Sequence, residues 1–166
     1  MRRSAFTLIE LTLYITLAVV VLFGSSTMMS LIFEARTKDM VVNEVEQQGD
    51  AVLQIITQSI RNATAVNSPT PETSADTLVL DTLVGANNPT IFNLVSGTIF
   101  MKEGAAESVA LTNSRVAAAT LNFQNLAPIG TNDDLRVSFT VTYNSSSTRQ
   151  VYQYGRNFYG SGALRQ

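Results

Sequence analysis

The chain has 166 residues, 11 Lys and Arg against 13 Asp and Glu, and neither cysteine nor histidine. That length predicts one domain, or one domain with an attached segment; without thiol or imidazole, disulfides and the usual zinc sites, thiol nucleophiles and imidazole bases are excluded. A net charge of −2 does not suit an electrostatic grip on nucleic acid as the main activity.

The first five residues, Met1-Arg2-Arg3-Ser4-Ala5, form a short basic leader that ends in a small side chain. Phe6-Thr7-Leu8-Ile9-Glu10 follows, and Leu11 to Phe33 then runs without a single charge. Arg2 and Arg3 are the only charges before Glu10, so the positive-inside bias places the N-terminus in the cytoplasm and the chain after Phe33 outside. A helix over the 23 residues of the uncharged run would extend about 35 Å, enough to cross a bilayer with some tilt. An ordinary secretory signal has a shorter apolar core, about 7–15 residues, with a cleavage site behind it. Here the charged Glu34-Ala35-Arg36-Thr37-Lys38 follows with no such motif. An ionisable residue beside a hydrocarbon-length run is costly and reads as functional by default. A plain membrane anchor leaves Glu10 unexplained.

Helical periodicity continues past the apolar run. Val41, Val45, Gly49, Val52, Ile56, Ile60 and Ala63 recur at spacings of three or four, a single stripe. Asn43, Glu44, Glu46, Gln47, Gln54 and Arg61 between them are solvent-facing types. With no proline before Pro69, the pattern predicts one nearly continuous helix from about Phe6 to Asn62, roughly 85 Å long. Gly24 before Ser25-Ser26-Thr27 reads either as a point of local melting or as an ordinary close-packing glycine of a membrane helix. Gly49-Asp50 is a candidate kink.

The helical pattern stops at Asn62, and Asn67-Ser68-Pro69-Thr70-Pro71 carries turn chemistry. Strands are predicted over Thr77–Val84, Thr90–Val95, Thr98–Lys102, Ser108–Leu111, Val116–Gln124 and Leu135–Tyr143, with a return over Arg149–Phe158. Ser96-Gly97 makes a hairpin of the second and third. In Val116–Gln124 the residues Ala117, Ala119, Leu121 and Phe123 share one face by parity. Leu135, Val137, Phe139, Val141 and Tyr143 alternate cleanly with polar residues, the best strand signal in the chain. Short connections imply an antiparallel sheet with one face covered, and the amphipathic half of the helix is the obvious cover.

The leader, the small residue before Phe6, Phe6-Thr7-Leu8-Ile9-Glu10 and the long apolar run together resemble the N-terminus of type IV prepilins and type II secretion pseudopilins. The motif covers Arg2 to about Phe33, roughly a fifth of the chain. The resemblance implies an α+β, pilin-like fold in which a long N-terminal helix, transmembrane in its first half, packs its second half on an antiparallel sheet. It divides the chain into a leader (1–5), a transmembrane and filament-core helix (6–33), an amphipathic helix half (34–62) and a globular β domain (63–166). It also implies cleavage between Ala5 and Phe6 by a prepilin peptidase, N-methylation of Phe6, and Glu10 as the acidic fifth residue of the mature chain. Ala5 stands where the family most often has glycine, and the helix-breaking proline common in major pilins is absent. Arg115 to Phe123 and Phe158-Tyr159-Gly160-Ser161-Gly162-Ala163-Leu164-Arg165 look most like minor pseudopilins of the J kind.

The carboxylate has a physical use in that setting. A free α-amino group has an unperturbed pKa near about 7.7–8 and carries charge much of the time. In lipid or a packed bundle, opposite charges attract far more strongly than in water. Glu10 can then neutralise the amine of Phe6 in a neighbouring subunit, or its own, and set the axial register that apolar packing leaves loose. The competing reading has Glu10 snorkelling to the headgroups.

No catalytic constellation emerges: there is no Gly-x-Ser-x-Gly and no phosphate-binding glycine loop. Asn132-Asp133-Asp134 could offer oxygens to Ca²⁺, but three adjacent polar residues are far from a ligand set, and a solvated turn is the favoured reading. Tyr152, Tyr154, Phe158 and Tyr159 with Arg149, Arg156 and Arg165 could stack on single-stranded nucleic acid. Tyr152, Tyr154 and Phe158 share strand parity, which instead favours a core with interspersed surface charge. The expectation is therefore a minor pilin or pseudopilin, not an enzyme and without cofactor or metal, built into a type IV pilus or type II secretion pseudopilus. Its partners would be the prepilin peptidase, other pilin or pseudopilin subunits, an inner-membrane assembly platform and the lipid bilayer. Before assembly it would sit in the bacterial inner membrane, and afterwards in an extracytoplasmic filament. The alternatives are a major pilin and a single-pass membrane-anchored extracytoplasmic binding protein.

Overall fold

A computed structural model describes residues 7–164. The chain divides into two compact units, Met1–Asp39 and Met40–Gln166. One helix, α1 (Leu8–Asn62), contributes to both and runs unbroken for 55 residues, through Gly24 and Gly49 alike. In the first unit none of its side chains is buried. In the second, Val41, Val45, Gly49, Val52, Ile56 and Ile60 are all buried, the stripe that the spacing predicts.

The rest of the second unit is β structure. The strands are β1 (Ala63–Ser68), β2 (Ser74–Ala75), β3 (Leu78–Thr82), β4 (Thr90–Val95) and β5 (Thr98–Glu103), then β6 (Val109–Ala110), β7 (Val116–Asn125), β8 (Asp134–Tyr143) and β9 (Gly155–Ala163). All pairings are antiparallel, but the strands form two sheets rather than the single one expected, in the orders β1-β3-β4-β5-β6 and β2-β7-β8-β9. The tip of the β4–β5 hairpin joins them, where the Ala118 amide donates to the Gly97 carbonyl at 2.7 Å. Ser96 and Gly97 both have positive φ, 50° and 79°, the two-residue turn whose twist matches its flanking strands.

Helix and sheets share one core. Val45, Val52, Ile56 and Ile60 join Leu78, Leu80, Phe92 and Ile99 of the first sheet and Phe123, Leu135, Val137 and Phe139 of the second. Burying such a side chain contributes about 1.5–3 kcal/mol.

Three sequence expectations are corrected. Ala63 is buried but begins β1, so the helix passes into a strand with no turn. Ala117 and Ala119 do not share a face with Leu121 and Phe123. A one-residue bulge at Thr120 (φ 53°) reverses the parity of β7, burying Val116 and Ala118 before it and Leu121 and Phe123 after it. The final strand begins at Gly155, not Arg149, because a 3-10 turn occupies Gln150–Tyr152.

β9 meets the helix more closely than ordinary side chains permit. A Cβ at Gly160 would lie 2.6 Å from Leu53 Cδ1, and one at Gly162 3.1 Å from Ile60 Cγ2. At Gly49 a Cβ would lie 2.1 Å from Cζ of Phe158, whose ring is buried and stacked on Phe139 at 5.4 Å between centroids. Gly49 is therefore a contact position and not a kink. Gly49→Ala adds about 1 kcal/mol of helix propensity but forces the ring out of its stack, at about 1–3 kcal/mol. The expected outcome is a net loss of stability in thermal unfolding, with Gly49→Ala and Phe158→Leu combined losing less than the sum of the single changes.

Asn125 is the other fixed point. It is buried, its Nδ2 donates to Pro69 O at 3.2 Å and Asp133 Oδ1 at 2.8 Å, and its Oδ1 accepts from the Ala127 amide at 3.2 Å. Asn125→Ala strands these partners and should cost about 1–3 kcal/mol. Asn125→Asp should cost more in a urea titration at neutral pH, since it sets a second carboxylate against Asp133.

Candidate functional site

The expected processing positions, Ala5 and Phe6, lie outside the described residues, as does Arg165. Glu10 lies in the first turn of α1 and is exposed. Thr7 stands just before that helix. Its carbonyl accepts from the Leu11 amide at 3.2 Å, and its Oγ1 from the Glu10 amide at 3.4 Å. Thr7-Leu8-Ile9-Glu10 thus has the form of a capping box, Thr at the cap and Glu three residues on. The spacing was readable in the sequence. The bond shown runs from the Glu10 main-chain amide, so it orders the first turn without engaging the carboxylate.

From Leu8 to Phe33 the helix is apolar all round. Leu8, Leu22, Phe23, Met28 and Leu31 each expose about two thirds of their surface or more. This helix is long and apolar enough to cross a membrane. Its hydroxyls suit such a setting. Thr12 donates to Ile9 O at 2.9 Å, Ser25 to Val21 O, Thr27 to Gly24 O and Ser30 to Thr27 O, each at 2.8 Å, and Thr16 to Thr12 O. Each of these polar groups is satisfied by its own helix, as hydrocarbon requires. Nothing approaches a Cβ placed at Gly24 within 4 Å, and the helix does not break there.

The polar face of the second half of α1 is not purely solvated, which sequence reasoning missed. Glu44 accepts from Asn113 Nδ2 at 2.7 Å and from Arg115 at 3.4 Å. Glu46 accepts from Arg156 at 2.9 Å and from the Tyr154 hydroxyl at 3.4 Å. Two carboxylates two residues apart, on different sides of one helix, thus tie it to the segment before β7 and to the start of β9, contacts more than sixty residues apart in sequence and invisible to local pattern.

The same contacts use up most of the proposed aromatic-basic cluster. Phe158 is in the core with Arg156 lying over its ring at 5.4 Å, Tyr152 stacks on Tyr143 at 6.3 Å, and Tyr154 and Arg156 hold Glu46. Tyr159 alone of these aromatics is fully exposed, at 68%. In Asn132-Asp133-Asp134, Asp133 serves Asn125, Asp134 opens β8, and no cluster of three or more Asp, Glu, His or Cys able to hold a metal occurs among the described residues.

A cation at the middle of the apolar run provides a direct check of its environment. Val20→Arg should cost about 2.5–3.5 kcal/mol of membrane insertion. The expected outcome is a clear fall in the carbonate-resistant membrane fraction, whereas Asn43→Arg, on the exposed face beyond the run, should leave that fraction unchanged.

No protein-family model, no curated protein and no solved structure matches this chain.

Proposed function

We propose that this protein is a subunit of a type IV pilus or type II secretion pseudopilus, and within that group a minor pilin or pseudopilin. The observation that carries the reading is the joining of two unlike halves in one unbroken helix. An exposed, all-apolar first half with a carboxylate in its opening turn continues into an amphipathic half that belongs to a folded β unit. A monomer leaves the first half uncovered, and exposed apolar surface of this extent marks a membrane or protein interface. Lipid covers it before assembly, and the same segments of neighbouring subunits cover it afterwards.

On this reading a prepilin peptidase at the cytoplasmic face of the inner membrane cuts between Ala5 and Phe6, Phe6 is N-methylated, and an assembly platform transfers the subunit into an extracytoplasmic filament. Glu10 pairs with the new amine at Phe6 and sets the register between neighbours. The long apolar helix and the resemblance in Phe6-Thr7-Leu8-Ile9-Glu10 support this. The absence of a proline in the apolar half and of any cysteine for a disulfide favours a minor subunit.

The intact mass of membrane-extracted protein tests the processing step. A chain beginning at methylated Phe6 is expected, and one beginning at Met1 or Arg2 sinks the proposal. Glu10→Gln separates charge pairing from capping, because it removes the charge while the main-chain amide bonded to Thr7 and the side-chain length are kept. If Glu10 acts by its charge, Glu10→Gln inserts normally but its recovery in sheared filaments falls about ten-fold, a coupling of roughly 1.4 kcal/mol. Wild-type recovery would leave Glu10 with the cap alone.

A further inference from the structure

The outer face of the four-stranded sheet is built almost wholly of amides, hydroxyls and one aromatic ring. Strand register sets it out in rows across β7, β8 and β9. Gln124, Arg136 and Ser161 form one row, and Asn122, Ser138 and Tyr159 the next. A third row holds Thr140 and Asn157, with Thr120 brought beside them by the bulge in β7. Amides and hydroxyls dominate. The one large ring, Tyr159, stands near the centre, 68% exposed. Two shallow depressions, about 340 and 710 Å³, adjoin the ring, and both are lined by Ser138 and Tyr159.

The third row is ordered from within. The Thr140 hydroxyl donates to Asn157 Oδ1 at 2.7 Å, so its 2.9 Å contact with Thr120 Oγ1 must be one in which Thr120 donates. Asn157 is thereby held with its oxygen occupied and its amide NH₂ available. Asn122, Arg136, Ser138 and the Tyr159 hydroxyl make no side-chain hydrogen bond among the described residues, and so stand ready for an outside partner.

The charge on this face selects among partners. Arg136 and Asp134 project from alternate positions of β8 on the same exposed side and cancel. A surface neutral over this span does not grip a polyanion, and one with Tyr159 and only Leu126 at its rim has no apolar patch for a protein core. What fits is an uncharged ligand with many hydroxyls and a flat C–H face. The apolar body of a tyrosine ring packs on such a face, while its hydroxyl and the neighbouring amides exchange hydrogen bonds with the polar edge. Depressions of several hundred Å³ with a few convergent polar groups are of ligand-site size.

We propose that the outer face of the β7–β8–β9 sheet is a binding surface for a neutral polysaccharide, with Tyr159 as its stacking platform and Asn122, Ser138 and Asn157 as its hydrogen-bonding groups. The proposal is independent of the filament reading. It would stand equally for an anchored binding protein.

The test is calorimetric titration of the full chain, in a zwitterionic detergent without a sugar head group, against cellohexaose, N-acetylchitohexaose and maltoheptaose. At least one of the three is expected to bind, and Tyr159→Ala to weaken it about ten-fold or more, about 1.4 kcal/mol. Tyr159→Phe, which keeps the ring, should stay within about three-fold of wild type. Tyr159 is exposed, so both variants should retain the wild-type melting temperature. Failure of all three oligosaccharides to bind overturns the proposal, as does binding unaffected by Tyr159→Ala. Heparin or single-stranded DNA binding in their place, and lost in Arg136→Gln, overturns it in favour of an anionic polymer.

Discussion

The fold depends on the apolar stripe along the second half of α1. Leu78, Leu80, Phe92 and Ile99 of one sheet and Phe123, Leu135, Val137 and Phe139 of the other lie in a single cluster with this stripe. Val45, Val52, Ile56 and Ile60 are the helix's share of that cluster and meet both sheets at once. The contact is tightest at β9, where Gly160 and Gly162 let strand backbone approach Leu53 and Ile60 and where Phe158 fills the space left by Gly49. The last strand of the chain thus seats on its first helix. A core closed by contacts so distant in sequence pays its loop-closure entropy before it gains packing, a pattern associated with slower folding.

The same helix is two different objects along its length. Up to Phe33 its apolar residues surround the axis, and its hydroxyls bond back to carbonyls one turn earlier. From Val41 onward apolar residues keep to one side, and the polar side includes two carboxylates bonded to Asn113, Arg115, Tyr154 and Arg156. Water satisfies the second arrangement and not the first. The chain therefore carries a folded unit and, joined to it, a segment whose apolar surface is exposed on every side.

Glu10 sits at the opening of that segment, and its position has two physical meanings that do not compete for the same atoms. Its backbone amide is bonded to Thr7 Oγ1, which orders the first turn. Its carboxylate is exposed and near the positive end of the helix dipole, where negative charge is favoured. An ammonium brought alongside by processing would add to that stabilisation. The sheet face around Tyr159 lies in the other unit and rests on different chemistry, so assembly and ligand capture would be separable by mutation.

By itself the sequence determined whatever depends on short-range period. The helix from Leu8 to Asn62, its buried stripe, the change from all-round to one-sided apolarity at Phe33, the β4–β5 hairpin and the alternation of β8 were all legible, because each is a pattern within a few turns or a few strand residues. Only the tertiary structure decided what depends on distant partners. The division into two sheets, the bulge that reverses parity at Thr120, the use of Gly49 to seat Phe158, and the ties of Glu44 and Glu46 across 69 to 110 residues are choices among locally equal alternatives. An alanine-rich strand such as Val116-Ala117-Ala118-Ala119 has no large side chain to mark its inner face, so packing chose the parity. The cluster around Tyr159 follows from the same cause: its residues come from three strands, and no local spacing in the chain brings them together.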